Sequence, residues 1–285
     1  MDGEKMGIVD KDRLNELLMK VDTNISIESV ILSEENTEKV NQFIKETSYR
    51  DKLLKYGLEP MNRLLFYGAS GCGKTFLAKA LSNHLKYKML YIDIAKSLSD
   101  GNVAKNISDI FDIGNELGNC LIFLDECDSI AWNRDSGNSD GGVIRRATNS
   151  LFQHLDQMNK TNIFISATNM LHRLDPAFER RFNLKLEFRR PSMSVVEVAN
   201  RFLYKDFILV DDANETVKTI VDNRNKLSFY ELEDIVKRAM KRAVLNDTLE
   251  VRTSDLYKDI ATSQNIKIRF KTNVDDPEIF ESSIK

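Results

Sequence analysis

Gly68-Ala69-Ser70-Gly71-Cys72-Gly73-Lys74-Thr75 decides how this chain reads, because it fits GxxxxGK[ST] and lies between a predicted strand and a predicted helix. Gly71 and Gly73 let the backbone curl so that successive N–H groups converge on phosphate oxygens, and the following helix adds the dipole of its N-terminus. Lys74 is the expected counter-charge of the terminal phosphates, and Thr75 offers a hydroxyl to Mg2+. Phe76 follows where a dinucleotide GxGxxG fingerprint needs its third glycine, so that alternative is excluded. Residues 68–76 are therefore the candidate nucleotide-binding set.

Outward from this loop the chain alternates strands and helices. Strands are predicted over Leu64–Tyr67, Met89–Ile94, Leu121–Leu124, Ile163–Ala167 and Leu184–Phe188, with helices over Thr75–Leu85, Val103–Glu116 and Val143–Met158. Short apolar strands separated by helices predict a five-stranded parallel sheet covered on both faces. The last strand alternates Leu184, Leu186 and Phe188 with polar residues, which places it at a sheet edge. Helices over 10–21 and about 35–56 precede the sheet. After Pro191 the strand signal stops, and helices over 194–204, 214–223, 229–245 and about 254–261 predict a small all-helical unit. Ser228 with Glu231 reads as a capping box, and Thr253 or Ser254 is expected to cap the last helix. The expected divisions are a helical lead-in (1–60), an α/β domain (61–190), a helical domain (191–262) and a tail (263–285). The tail reads equally as a docking strand.

Cys120–Leu124 is an apolar strand that ends abruptly in Asp125-Glu126, which a parallel sheet puts at its carboxyl edge beside the phosphate loop. Asp125 suits the Mg2+ hydration shell, and Glu126 suits activation of an attacking water. The strand Ile163–Ala167 ends in Thr168-Asn169, so the Asn169 amide reaches the same edge and can hydrogen-bond phosphate and water. Asn159-Lys160-Thr161-Asn162 breaks the guanine-recognition pattern NKxD at its last residue, which argues against a GTPase.

The balance of 41 basic and 44 acidic residues gives a net charge of -3, so no overall field draws in nucleic acid or an acidic membrane. Three cysteines without a CxxC pair suit a reducing, cytoplasmic setting, and no apolar run suggests a signal or a membrane span. His84, His154 and His172 have no ligand spacing, and Arg145-Arg146, Lys237-Arg238 and Lys241-Arg242 read as solvated helix faces.

In their order these motifs resemble the AAA+ ATPases, specifically the AAA clade, over about residues 27–262. Ile165-Ser166-Ala167-Thr168-Asn169 is similar to the sensor-1 strand, and Leu174-Asp175-Pro176-Ala177-Phe178-Glu179-Arg180-Arg181-Phe182 to the arginine-finger region. The resemblance implies a P-loop NTPase sheet followed by a helical lid, ATP and Mg2+ as ligands, and a ring, usually a hexamer. Arg180 and Arg181 would complete a neighbour's site, where a guanidinium stabilises charge developing on the transferred phosphoryl group. Val30 and Ile31 match the segment that lines the adenine pocket. Ala69, Ser70 and Cys72 replace two prolines and a threonine of the usual loop without removing a phosphate-directed group.

The segment Ser97–Asn102 aligns with the pore loop, yet Ser99 and Asp100 stand where threading members carry an aromatic, so the residue type that grips a threaded polypeptide is missing and the pattern leaves processive threading open. The stretch Ser136–Gly142 reads as a second loop on that side. The implied activity is ATP hydrolysis coupled to remodelling or regulating a macromolecular partner, read as protein. Alternatives are a nucleic-acid-associated loader or transposition helper, and a slow nucleotide-switched scaffold controlling a partner enzyme.

Overall fold

The computed structural model describes residues 25–94, 97, 102–131 and 141–264, with the short strands β8 (Ile268–Arg269) and β9 (Glu278–Ile279), which pair antiparallel. The expected helix over 10–21, the pore-loop positions 98–101 and the polar stretch 136–140 lie outside these residues. The chain divides into two compact units. One comprises Gly73–Phe188 with the residues up to Gly68, and the other Ala69–Cys72 with the residues from Arg189 onward.

In the first unit, Ser33 caps α1 (Glu34–Ser48) by accepting the Asn36 N–H at 3.2 Å. The helix expected over about 35–56 is interrupted at Tyr49, after which α2 (Arg50–Lys55) begins. Thr47 and Ser48 donate their hydroxyls back to the carbonyls of Phe43 and Ile44, and such back-bonds compete with the helical ladder.

There follow β1 (Arg63–Gly68), α3 (Lys74–Leu85), β2 (Lys88–Ile92), α4 (Val103–Leu117), β3 (Cys120–Leu124), α5 (Gly141–Gln157), β4 (Ile163–Thr168), α6 (Pro176–Glu179) and β5 (Leu184–Phe188). The five strands form one parallel sheet in the order β2-β3-β4-β1-β5. The second strand ends at Ile92, two residues short of its expected end. β3 and β4 are buried along their whole length, while β5 alternates buried and half-buried residues at the edge, as its sequence pattern predicts.

Alternate residues of each strand point to opposite faces. Leu65, Ile122 and Phe164 join Phe111 of α4 and Leu151 of α5 in one core, and burying each large side chain contributes roughly 2–3 kcal/mol. Leu64 and Phe66, fully buried, belong to the other face of β1. Because the strands are parallel and β1 lies beside β4, the carboxyl ends of β3, β4 and β1 are neighbours along one edge of the sheet.

The second unit contains α7 (Val195–Phe202), α8 (Glu215–Arg224), α9 (Phe229–Leu245) and α10 (Thr253–Ser263) around Val198, Val221, Ile235, Val236, Leu256 and Ile260. It is not wholly helical. β6 (Ile208–Val210) and β7 (Glu250–Arg252) form a short parallel pair that the sequence reading did not anticipate. The predicted capping box is clear at α9, where Ser228 and Glu231 bond reciprocally, and a second box, not expected from the sequence, forms from Ser194 and Glu197 at α7. At α10 the expectation is corrected, since neither Thr253 nor Ser254 caps it with its own side chain. Asp212 accepts the Ser254 N–H at 2.9 Å instead. No helix among the described residues is long and apolar enough to cross a membrane.

Candidate nucleotide-binding site

β1 delivers its last residue, Gly68, directly against β5. A Cβ there would stand 2.0 Å from the Phe188 carbonyl oxygen, so only glycine fits the approach. At the other end of the loop Gly73 takes a left-handed conformation, φ 97°, as the residue before α3, a turn that a side chain would strain. The first N–H groups of α3 have no intrahelical acceptor, and with the helix dipole they form an anion-directed end. Within the second unit the Gly71 carbonyl accepts the Tyr230 N–H at 3.1 Å.

Lys74, the first residue of α3, is buried, and its Nζ donates to the Gly68 carbonyl at 2.8 Å and to Asn169 Oδ1 at 2.7 Å. Thr75 Oγ1 donates to Asp125 Oδ2 at 3.0 Å. The structure thus gathers Gly68, Lys74, Thr75, Asp125 and Asn169 at one sheet edge. Thr75 and Asp125 present two hard oxygens close together, which fits Mg2+, an ion usually held by one or two protein ligands with phosphate and water completing its shell. No cluster of three or more His, Cys, Asp or Glu side chains suited to a metal occurs among the described residues.

Glu126 follows Asp125 with an exposed side chain and a left-handed backbone, φ 49° and ψ 44°, a conformation costing a non-glycine residue roughly 1–2 kcal/mol. It is held there by the Ser129 N–H and hydroxyl, which donate to the Glu126 carbonyl at 3.0 and 2.8 Å, while its own N–H donates to Asp125 Oδ1. Tyr91 on β2 was not singled out from the sequence. Burial, followed by the charges of Asp125, Asp93 and Glu126, pushes its phenol above the ordinary range and keeps it protonated.

The two predicted finger arginines differ. Arg181 donates to both carboxylate oxygens of Asp156 on α5, at 3.3 and 3.1 Å, and to the Ala177 carbonyl at 2.7 Å, with its guanidinium 4.4 Å from the centre of the Phe152 ring. Arg180 is exposed, and its guanidinium has no partner among the described residues. Val30 and Ile31 are half-buried after a short 3-10 turn, which is anchored where Asn83 of α3 donates to the Ile25 carbonyl at 2.7 Å. Phe76 remains partly exposed in the first turn of α3.

The other polar candidates are occupied by the fold. Lys237, Arg238 and Arg242 pair with Glu233, Asp234 and Asp259, and His154 stacks on Phe111. All three cysteines are buried and unbridged. Burial pushes the Cys127 thiol up to about 12 and that of Cys120 up to about 11, which removes thiolate chemistry at neutral pH.

Residues 64–190 match the family profile described as "ATPase family associated with various cellular activities (AAA)". A similar protein is the "Uncharacterized AAA family ATPase y4kL" of Sinorhizobium fredii (strain NBRC 101917 / NGR234). It is 29% identical over 231 residues, which cover 80% of this chain and 68% of that one.

Proposed function

We propose that residues 64–190, which match the AAA ATPase profile, form an ATPase domain and that this chain binds ATP with Mg2+ and hydrolyses its terminal phosphoanhydride bond. The observation that carries the reading is the pair of contacts Lys74–Asn169 and Thr75–Asp125, which bring a cation, an amide, a hydroxyl and a carboxylate to the end of the glycine loop.

The main-chain N–H groups of residues 69–75 hold the phosphates, and Lys74 exchanges the oxygens of Gly68 and Asn169 for those of the terminal phosphates. Thr75 and Asp125 would hold Mg2+, which when bound disperses phosphate charge. Glu126 accepts a proton from water as the water oxygen bonds to the γ-phosphorus and the bond to the β-phosphate oxygen breaks, leaving ADP and inorganic phosphate. The Asn169 amide, released from Lys74, orients that water. Phe76, with Val30 and Ile31, contributes apolar surface to the adenine.

A ring of copies, with Arg180 crossing to a neighbour's γ-phosphate, is supported by that side chain's lack of a partner among the described residues of its own chain. Arg181 would act there only after leaving Asp156. The residues from 191 to 262 would serve as the lid. The partner we assign is a protein that is remodelled or regulated without threading, because no aromatic side chain lies between Tyr91 and Phe111.

Phosphate release by the native chain and by Glu126→Gln tests this directly. Native turnover in Mg-ATP is expected, with at least a ~100-fold loss in the variant and ATP binding retained. Equal turnover would remove Glu126 from its role, and failure of the native chain to bind ATP would end the reading.

A further inference from the structure

We propose that Asp128, acting through Thr168, is a positioning residue that fixes the spacing between Glu126 and Asn169 and thereby sets turnover rather than ATP affinity. The inference rests on the hydrolysis reading above.

The β3–β4 ladder stops at Leu124 opposite Ser166, so no strand pairing between β3 and β4 fixes the residues on which Glu126 and Asn169 stand. Thr168 is nevertheless secure, since β1 pairs with it through Tyr67 and it is almost wholly buried. Its hydroxyl does two things. It donates to Asp128 Oδ1 at 2.6 Å and accepts the Met170 N–H at 2.9 Å. The second bond closes a tight turn over Asn169, and the first reaches back to the 3-10 turn Cys127–Ser129.

That 3-10 turn carries Glu126 at its N-terminal end, in the left-handed conformation already described. Cys127, with no exposed surface, pins the turn to the core from below. One short hydroxyl–carboxylate bond therefore joins the two segments bearing the water-directed groups, where the sheet itself no longer does. The glycine loop and Lys74 belong to the β1–α3 connection, which this bond does not touch. Loosening it should misplace Glu126 relative to Asn169 and leave the phosphate cradle intact.

The test uses the full chain and compares Asp128→Ala, Thr168→Val and Asp128→Asn by steady-state turnover and by direct ATP titration. Asp128→Ala and Thr168→Val are expected to lower kcat about tenfold to a hundredfold, as misplacement of a catalytic group by about 1 Å does, with KM and ATP Kd changed by less than about threefold. Asp128→Asn keeps an oxygen that accepts from Thr168 and should retain most of kcat. The Asp128→Ala/Thr168→Val double variant should be no slower than the worse single variant, because both remove the same bond. Native-like kcat in both single variants, losses that multiply in the double variant, or a loss carried by KM would each overturn the positioning role alone. A native chain that binds ATP without turnover would overturn the hydrolysis reading and this inference with it.

Discussion

Two polar networks in this molecule use the same residue types for opposite ends. In the second unit, Thr253 Oγ1 accepts the N–H groups of Asp212 and Ala213, both at 3.0 Å, and Asp222 accepts the Val195 N–H. Lys218 bridges Asp211 and Glu215. The Tyr257 hydroxyl donates to Asp222 at 3.0 Å, and burial together with that carboxylate pushes the phenol far above its usual range. Main-chain donors at turns and helix starts consume much of this network.

At the sheet edge of the first unit, by contrast, Lys74, Asn169, Thr75, Asp125, Thr168 and Asp128 bond largely side chain to side chain, between segments far apart in sequence. A network spent on main-chain N–H groups holds a fold together. One made of side chains facing each other past the ends of strands keeps groups that can change partners when a ligand arrives.

The same contrast separates adjacent arginines, and there the largest effect is expected. Arg180→Ala should lower ATP turnover by about 10³-fold, whereas Arg181→Ala should act chiefly on stability, by about 1 kcal/mol in denaturant midpoints, through its partly exposed bonds to Asp156 and its place over Phe152. Equal losses of turnover in the two variants would erase the distinction. Next in size is Thr253→Val, which strands the N–H groups of Asp212 and Ala213 and should cost about 2 kcal/mol while leaving kcat unchanged. A loss of activity at native stability would show that the second network is not merely structural.

The smallest effect concerns pH. The Ser228 N–H and hydroxyl hold the Glu231 carboxyl below the usual range, against a weaker opposing effect of burial. Its folded pKa lies under its unfolded one, so the capping box contributes fully above about pH 4.3 and its contribution is lost as pH falls through the lower folded value. Glu231→Gln should cost about 0.5 kcal/mol at neutral pH and flatten the acid loss of thermal stability. An unchanged acid profile would count against the box.

The parts of this fold that are local in sequence were readable from it. The glycine loop, the buried runs of β3 and β4, the alternating edge strand β5 and the Ser228–Glu231 box each depend on spacings of a few residues. What escaped depends on partners brought from afar. Ile208–Val210 is too short to announce a strand until Glu250–Arg252 lies beside it. Thr253 looks like a cap for its own helix, and only the fold shows its hydroxyl spent on a turn some 40 residues earlier. The capture of Arg181 by Asp156, and of Thr168 by Asp128, likewise follows from which strands and helices become neighbours. At the candidate site the residue types were legible, but their pairing was not.

The bare α-carbon of Gly68 has a mechanical corollary. With the Phe188 carbonyl occupying the space a methyl group would need, the end of β1 is registered against the edge strand β5 by steric exclusion as well as by the ladder that pairs Gly68 with Phe188. Even alanine at this position would wedge β5 away from β1, so displacement of that strand in Gly68→Ala would register as a shifted loop before any side chain that bears charge had been altered.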